Sequence, residues 1–269
     1  MKAGYMTNAW GAVVGHPGGV TSIKDLYYLS TGADAEAVEA ISREGYDMIE
    51  IFDGNLVNYM GNPGEFKETL KQHKVSVFSV YTGADFIFNE IWEEEKYKIE
   101  SAAKAAVEFE AKHLVLGGGA IRSTGAKDED YKVLGQRLDE AAELAQKYGL
   151  LPSYHPHLGT IVQGPDQLDK LMALTKIDLC PDTAHIEAGG GDSVAIVKKY
   201  IQRIKYIHLK DFAAGAFLPL GKGAIDFEDM ITFARQADHE IDFTVEADGY
   251  DGDPSEAARI SFEYLKKFS

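Results

Sequence analysis

Four short stretches in the second half of the chain carry residues able to hold a cation or move a proton: His155-Pro156-His157, Asp182-Thr183-Ala184-His185, His208-Leu209-Lys210-Asp211 and Val245-Glu246-Ala247-Asp248. Each follows directly on an apolar run of strand length. Side chains alternate along a strand, so every second residue shares a face. Ser153, His155 and His157 form one such set; Tyr206, His208 and Lys210 a second; Thr244, Glu246 and Asp248 a third. Choosing one inward residue per run gives His155, Asp182, His208 and Glu246. Nitrogen and oxygen donors without a thiolate suit Mn, Co, Zn, Fe or Ni, and two imidazoles speak against a purely Mg-like or Ca-like site. The expectation is one divalent metal, manganese, cobalt or zinc, on these four residues. A lone histidine at a strand end is usually a hydrogen-bonded structural residue. Four donors on four successive runs are harder to explain that way.

The elements that must position these residues alternate along the whole chain. Strand character at Lys2 to Asn8 is followed by a helical pattern from Asp34 to Glu44 with Ala35, Val38, Ala40 and Ile41 at near-helical spacing, stopped by Gly45. Strands are expected at Tyr46 to Phe52, Val75 to Tyr81, Lys112 to Gly117, Leu150 to His155, Ile177 to Asp182, Ile204 to Lys210 and Ile241 to Glu246. Helices are expected between them at Glu65 to His73, Glu93 to Ala111, Asp128 to Tyr148, Pro165 to Leu174, Ser193 to Ile201 and Phe227 to Ala237, with Pro254 to Phe268 last. Tyr97, Ala102, Ala105, Ala106 and Phe109 read as the inner side of the long third helix. Eight strand-helix units predict an α/β chain folded as a parallel eight-stranded (β/α)₈ TIM barrel, one domain over residues 1–269. An open doubly wound sheet is the runner-up. In a barrel, parallel strands all end at one face, which is why the four stretches would converge.

Composition narrows the function classes. The 269 residues carry a formal net charge of -16, with basic residues spread along the chain, which argues against nucleic acid as a partner. A single cysteine, Cys180, cannot form an internal disulfide and reads as a small core residue. No apolar run approaches membrane-spanning length, and Met1 to Trp10 lacks the pattern of a signal peptide. The expectation is a cytoplasmic protein with a small-molecule substrate and no membrane partner.

The barrel pattern with Asp182, His208 and Glu246 resembles the xylose isomerase-like superfamily of sugar isomerases and epimerases, which also includes ketose 3-epimerases, inosose isomerases and dehydratases, and endonucleases of the endonuclease IV type. Within it, His155-Pro156-His157-Leu158-Gly159-Thr160, Asp182-Thr183-Ala184-His185, His208-Leu209-Lys210-Asp211 and Gly221-Lys222-Gly223-Ala224-Ile225-Asp226-Phe227 are most similar to inosose dehydratases. The similarity runs from about Leu150 to Asp253; before that it holds at the level of fold, apart from Tyr46 to Glu50, which looks like a second strand ending in an inward Glu. The resemblance implies a metal that holds a substrate's carbonyl and adjacent hydroxyl and acidifies the neighbouring C–H. It further implies Glu246 as ligand and acid/base group, His185 and His157 as groups that position hydroxyls or move protons, and Lys210 as a support for an oxyanion.

One departure from the family pattern carries mechanistic weight. Isomerases and epimerases of this kind usually have a glutamate where His155 stands, so that two carboxylates exchange a proton across the substrate. A metal-bound neutral histidine is a poor base. Elimination needs one base and one acid, so the sequence favours a lyase acting on a keto-sugar or keto-inositol, with Glu50 the residue that could restore the missing carboxylate. An isomerase or epimerase is the alternative. A 3-keto-glycoside could eliminate an aglycone by the same chemistry, a possibility raised by the glycine-rich stretch Glu246 to Pro254. An endonuclease IV-like enzyme would need further metal ligands and a basic rim, which the acidic balance disfavours; a non-enzymatic binding barrel is the remaining class.

Other features are read more plainly. Gly117-Gly118-Gly119 with Arg122 could cradle a phosphate or be simple turn chemistry, and the Gly221-x-Gly223 segment reads as a loop over the pocket. Asp85, Phe86 and Phe88 could wall the pocket or pack in the core. Trp92 is a candidate for reaching the mouth of a neighbouring subunit, a homo-oligomer being one assembly the sequence allows. The loop from Trp10 to Thr31, with Gly15, Pro17, Gly18 and Gly19, is long for a barrel connection.

Overall fold

The computed structural model describes residues 2–11, 13–14, 27–248, 250 and 252–268. Eight parallel strands form its centre: β1 Gly4–Met6, β2 Met48–Phe52, β3 Ser76–Ala84, β4 His113–Gly118, β5 Leu151–His155, β6 Asp178–Leu179, β7 Tyr206–Leu209 and β8 Asp242–Val245. Their hydrogen-bonded order is β6-β5-β4-β3-β2-β1-β8-β7. Bridges from Leu179 to Ile204 and from Asp182 to His208 join the two ends, and the His208 N–H donates to the Pro181 carbonyl at 3.0 Å, so the sheet closes into a barrel. β6 is only two residues long because Pro181 has no N–H to continue the ladder.

The outer ring consists of α1 Asp34–Arg43, α2 Pro63–His73, α3 Trp92–Glu108, α4 Asp128–Lys147, α5 Pro165–Met172, α6 Ser193–Tyr200, α7 Phe227–Ala234 and α8 Pro254–Leu265. Proline opens α2, α5 and α8, where its missing N–H costs nothing. The carboxylates of Asp192, Asp226 and Asp253 accept backbone N–H groups at the starts of α6, α7 and α8. Gly45, at φ +108°, ends α1 in a conformation that other residues rarely adopt. The apolar core fills the layer between strands and helices, and a smaller cluster of Met6, Tyr28, Phe52, Tyr81, Val115, Cys180 and Tyr206 lies within the barrel.

Tyr97 is a correction to the expected inner side of α3. It is 66% exposed, while Ile99, Ala102, Ala103, Ala105 and Ala106 face the core. Tyr97 is two residues from Ile99, about 200° around the helix. The short helices Asp53–Asn58 and Thr183–Ala188, and a hairpin of Asp211–Ala213 with Ala216–Leu218, are inserted after β2, β6 and β7 at the carboxyl end of the barrel. Most of the long connection expected over 10–31, with Gly15, Pro17, Gly18 and Gly19, lies outside the described residues.

Candidate metal centre

His155 ends β5, His208 lies on β7, and Asp182 and Glu246 follow β6 and β8 by a few residues. All four are buried, and one donor atom from each lies within 4.8 Å of every other. Donors arranged at ~2.0–2.2 Å around one ion would be about 3–4 Å apart, so the cluster has the dimensions of a single cation site. One of its atoms is short of a partner: His155 Nδ1 is buried without a hydrogen bond, while Asp182 Oδ2 is met by the Lys210 ammonium at 3.1 Å. Asp182 has a second duty. Its Oδ1 accepts the His185 N–H at 2.8 Å and caps the short helix that follows β6, which leaves Oδ2 for the cluster. The donor set and the orphaned His155 nitrogen fit a divalent metal.

His208 is the hinge of the arrangement. Its Nδ1 meets Glu246 Oε2 at 2.8 Å, and its Nε2 lies 3.1 Å and 3.2 Å from the two oxygens of Glu50. Burial pushes this imidazole's pKa down, but the neighbouring Cys180, Glu50 and Glu246 outweigh that and hold it well above its ordinary value. Metal binding at Nδ1 would exchange a proton for the cation. His155 behaves oppositely: burial, then the nearby His208, His157, His185 and Lys210, hold its pKa well below the usual histidine range, so it stays neutral and able to donate a lone pair. Burial raises the Glu246 carboxyl, with Lys210 pulling against it.

Lys210 lies wholly buried among carboxylates, its Nζ 2.6 Å from Asp248 Oδ2, 3.1 Å from Asp182 Oδ2 and 3.4 Å from Glu246 Oε2. Burial alone would lower its pKa; these three anions raise it instead. Thr183 fixes its backbone, since the Thr183 hydroxyl accepts the Lys210 N–H at 2.9 Å and donates to the Lys210 carbonyl at 2.6 Å. A second group adjoins the first: His157 and His185 have ring centroids 3.7 Å apart, and His185 Nε2 lies 3.0 Å from Asp248 Oδ2. Phe217, from the inserted hairpin, packs 5.0 Å from the His185 ring and beneath the Lys210 ammonium.

Glu50 lies on the side of the His208 ring away from Glu246. The two carboxylates bracket the imidazole rather than facing each other across open space. Three participants were not singled out as site residues from the sequence. Asn8, just beyond β1, donates from Nδ2 to Glu246 Oε1 at 3.2 Å. Asp248 shares the alternation of Thr244 and Glu246, a signal that could have placed it. Tyr81 presents its ring to His155 at 5.3 Å, and nothing in its local sequence marks it. Asp211 also acts in a way its motif did not suggest: its carboxylate accepts the N–H groups of Gly221, Gly223 and Ile225 and thereby fixes the loop that follows the hairpin.

Other expectations are revised. Arg122 donates to Asp130 and to the Ile87 carbonyl, so it is committed to the start of α4 rather than to a phosphate. Gly117 is required because a Cβ there would come within 1.9 Å of the Tyr81 hydroxyl. Trp92 is buried and donates its indole N–H to Glu140, so it is not presented to a neighbouring subunit. Phe86 is core, Phe88 is half-buried, and Cys180 is buried inside the barrel. Among the described residues no helix is long and apolar enough to cross a membrane.

A parallel (β/α)₈ barrel with nitrogen and oxygen donors at the ends of β5 to β8 defines a recognisable class. The xylose isomerase-like TIM barrel model matches residues 38–268, and the chain belongs to that family. An inosose dehydratase of Clostridium beijerinckii is 29% identical over 267 residues, covering 86% of this chain and 88% of the relative. Among solved structures, the probable 3-DHS dehydratase AsbF of Bacillus anthracis superposes with a TM-score of 0.75 at 16% identity, covering 99% of both chains. The IolI protein with a bound zinc atom gives a TM-score of 0.72 at 17% identity, covering 99% of this chain and 97% of its own.

Proposed function

We propose that the protein is a divalent-metal-dependent lyase that removes the proton α to the carbonyl of a small keto-sugar or keto-inositol and expels a β-oxygen substituent, as an inosose dehydratase does. The observation that carries this reading is the placement of His155 and Glu50. An imidazole stands at the β5 end, and Glu50 is engaged behind His208, so neither supplies a carboxylate opposite Glu246 for a two-base epimerisation. The names of the dehydratase relatives support the same direction.

His155, Asp182, His208 and Glu246 would hold the metal, with manganese, cobalt or zinc best suited to two imidazoles and two carboxylates. When bound, the metal supplies Lewis-acid stabilisation of the oxygen charge that develops as the C–H bond breaks. Glu246 takes the α-proton, and Asn8 steadies its other oxygen. The electron pair released from carbon forms the C=C bond as the β C–O bond breaks. Lys210 offsets negative charge at the carbonyl oxygen. The departing oxygen takes up a proton on the side lined by His157 and His185.

The inserted hairpin supports a second choice of leaving group. Its tip, Ala213 to Ala216, carries no charge, and Ala214 and Ala216 are exposed, while Phe217 borders His185. An apolar surface beside the site suits an aglycone, so a 3-keto-glycoside is the second substrate class.

The test begins with metal analysis of the purified protein. Keto-inositols, ketoses and 3-keto-glycosides are then incubated with it in heavy water. An unsaturated product that requires metal is the expected result, and Glu246→Gln should lower its rate by roughly 10²- to 10⁴-fold. Deuterium at carbon without elimination would instead establish an isomerase or epimerase, and absence of both metal and exchange would end the proposal.

A further inference from the structure

We infer that Lys210 and Asp248 form an ion pair that sets how tightly the centre holds its metal, the Lys210 ammonium loosening the grip and the Asp248 carboxylate restoring it. This role rests on the metal centre proposed above, though not on the reaction that the centre serves.

Each carboxylate of the centre has one oxygen committed elsewhere. Asp182 Oδ1 accepts the His185 N–H at 2.8 Å, and Glu246 Oε1 accepts from Asn8 Nδ2 at 3.2 Å. A cation is left with Asp182 Oδ2 and with Glu246 Oε2, the oxygen beside His208 Nδ1. These are the two that face Lys210, at 3.1 Å and 3.4 Å from its Nζ. A metal on these oxygens therefore shares them with an ammonium. With metal–oxygen bonds of ~2.0–2.2 Å, the two positive centres stand within about 5 Å of each other. Repulsion between a divalent ion and a unit charge at that distance is worth about tenfold in affinity even under the screening of bulk water, and more in a buried site. The ammonium also draws on charge that the oxygens would otherwise give to the metal.

Asp248 opposes this effect. Its Oδ2 lies 2.6 Å from Lys210 Nζ, the shortest of the ammonium's three carboxylate contacts, and His185 Nε2 holds the same oxygen from the other side at 3.0 Å. Asp248 is not among the four ligands, so it acts on the metal through Lys210, as a positioning residue. Lys210 itself has no room to withdraw. It is wholly buried, Thr183 pins its backbone N–H and carbonyl, and the Phe217 ring lies 5.3 Å from its ammonium. What Asp248 governs is how far that ammonium leans on the two ligand oxygens.

The experiment measures the affinity of the metal-stripped full chain for Mn²⁺, and separately for Zn²⁺, by competition with a chelating dye. Lys210→Met removes the ammonium but keeps an unbranched side chain beside Phe217, and it should bind metal roughly 10-fold tighter or more. Asp248→Asn releases the ammonium onto the ligand oxygens and should bind metal roughly 10-fold weaker. The double variant changes no net charge and should return close to the unaltered chain. These signs set the pair apart from a merely structural role, in which every one of the variants would weaken binding. Where Lys210→Met alone does not fold, the double variant decides, because it replaces the buried pair as a whole. Affinity near that of the unaltered chain then supports the pair's role, and affinity at or below that of Asp248→Asn overturns it. Weaker or unchanged binding in a folded Lys210→Met, or unchanged binding in Asp248→Asn, also overturns it and leaves the metal centre and the proposed function standing. No metal bound by the unaltered chain removes both readings.

Discussion

Glu50 illustrates how a residue's type and its role part company. Its carboxylate sits 3.1–3.2 Å from His208 Nε2, fully buried, on the far side of the ring from Glu246. A carboxylate in that place holds the ring's rotation and keeps the hydrogen on Nε2, so that Nδ1 turns its lone pair toward the donors of the cluster. Glu50→Gln keeps the volume but weakens that preference. The expected outcome is a ~10- to 100-fold loss of metal affinity, read by competition between the stripped protein and a chelating dye. Unchanged affinity would show that packing alone orients His208. The sequence places Glu50 inward at a strand end, but on which side of a ring a carboxylate lands depends on neighbouring strands. The same limit applies to Asn8, whose partner Glu246 is 238 residues away.

Between elements, the most demanding polar contact joins the end of β2 to α3. Asp53 accepts the N–H groups of Tyr28 and Gly54 and the Thr82 hydroxyl, and Lys98 from α3 lies 3.9 Å away with no hydrogen bond of its own. Both groups are buried. Burial outweighs their attraction, raising the Asp53 pKa to about 6 and lowering that of Lys98. Such a pair costs little to replace as a whole and much to break. Lys98→Met alone should destabilise the fold by about 3–5 kcal/mol, and adding Asp53→Asn should recover most of that loss, as measured by urea unfolding of the two variants. A loss in the double variant equal to the sum of the losses in Lys98→Met and Asp53→Asn alone would mean that the two charges are not coupled. No periodicity in the sequence announces this contact, because α3 otherwise reads as an alanine-lined helix. The elements themselves are more legible. The ends of α4 and β5 fall within a residue or so of expectation because Gly149, at φ +80°, separates them. β6 comes out shorter than Ile177 to Asp182 because Pro181 interrupts its ladder, and β3 runs on to Ala84. The inserted hairpin and the two short helices follow strand ends, where neither alternation nor helical spacing lasts long enough to read.

At the scale of the whole molecule, the metal centre lies across the join between β6 and β7, which no continuous ladder spans. β6 meets β7 through single bridges, and β5 and β6 share two paired positions, as β1 does with each of its neighbours. One of those bridges pairs Asp182 with His208, two of the four proposed ligands, while His155 and Glu246 come from the strands on either side. A cation at this place would therefore tie together four strands across the one join that isolated bridges make. At a free metal concentration 100 times Kd, such binding adds about 2.7 kcal/mol to stability. For a chain of this size, a change of 1 kcal/mol moves Tm by about 2–4 °C, so chelation should lower Tm by about 5–10 °C. The loss should also be local. Hydrogen exchange should accelerate at residues 178–183 and 206–210 on metal removal, while β3 and β4, which pair over six positions from Ser79 to Ala84, change little. An exchange increase spread evenly around the barrel would mean that the metal stabilises the fold without bracing this seam.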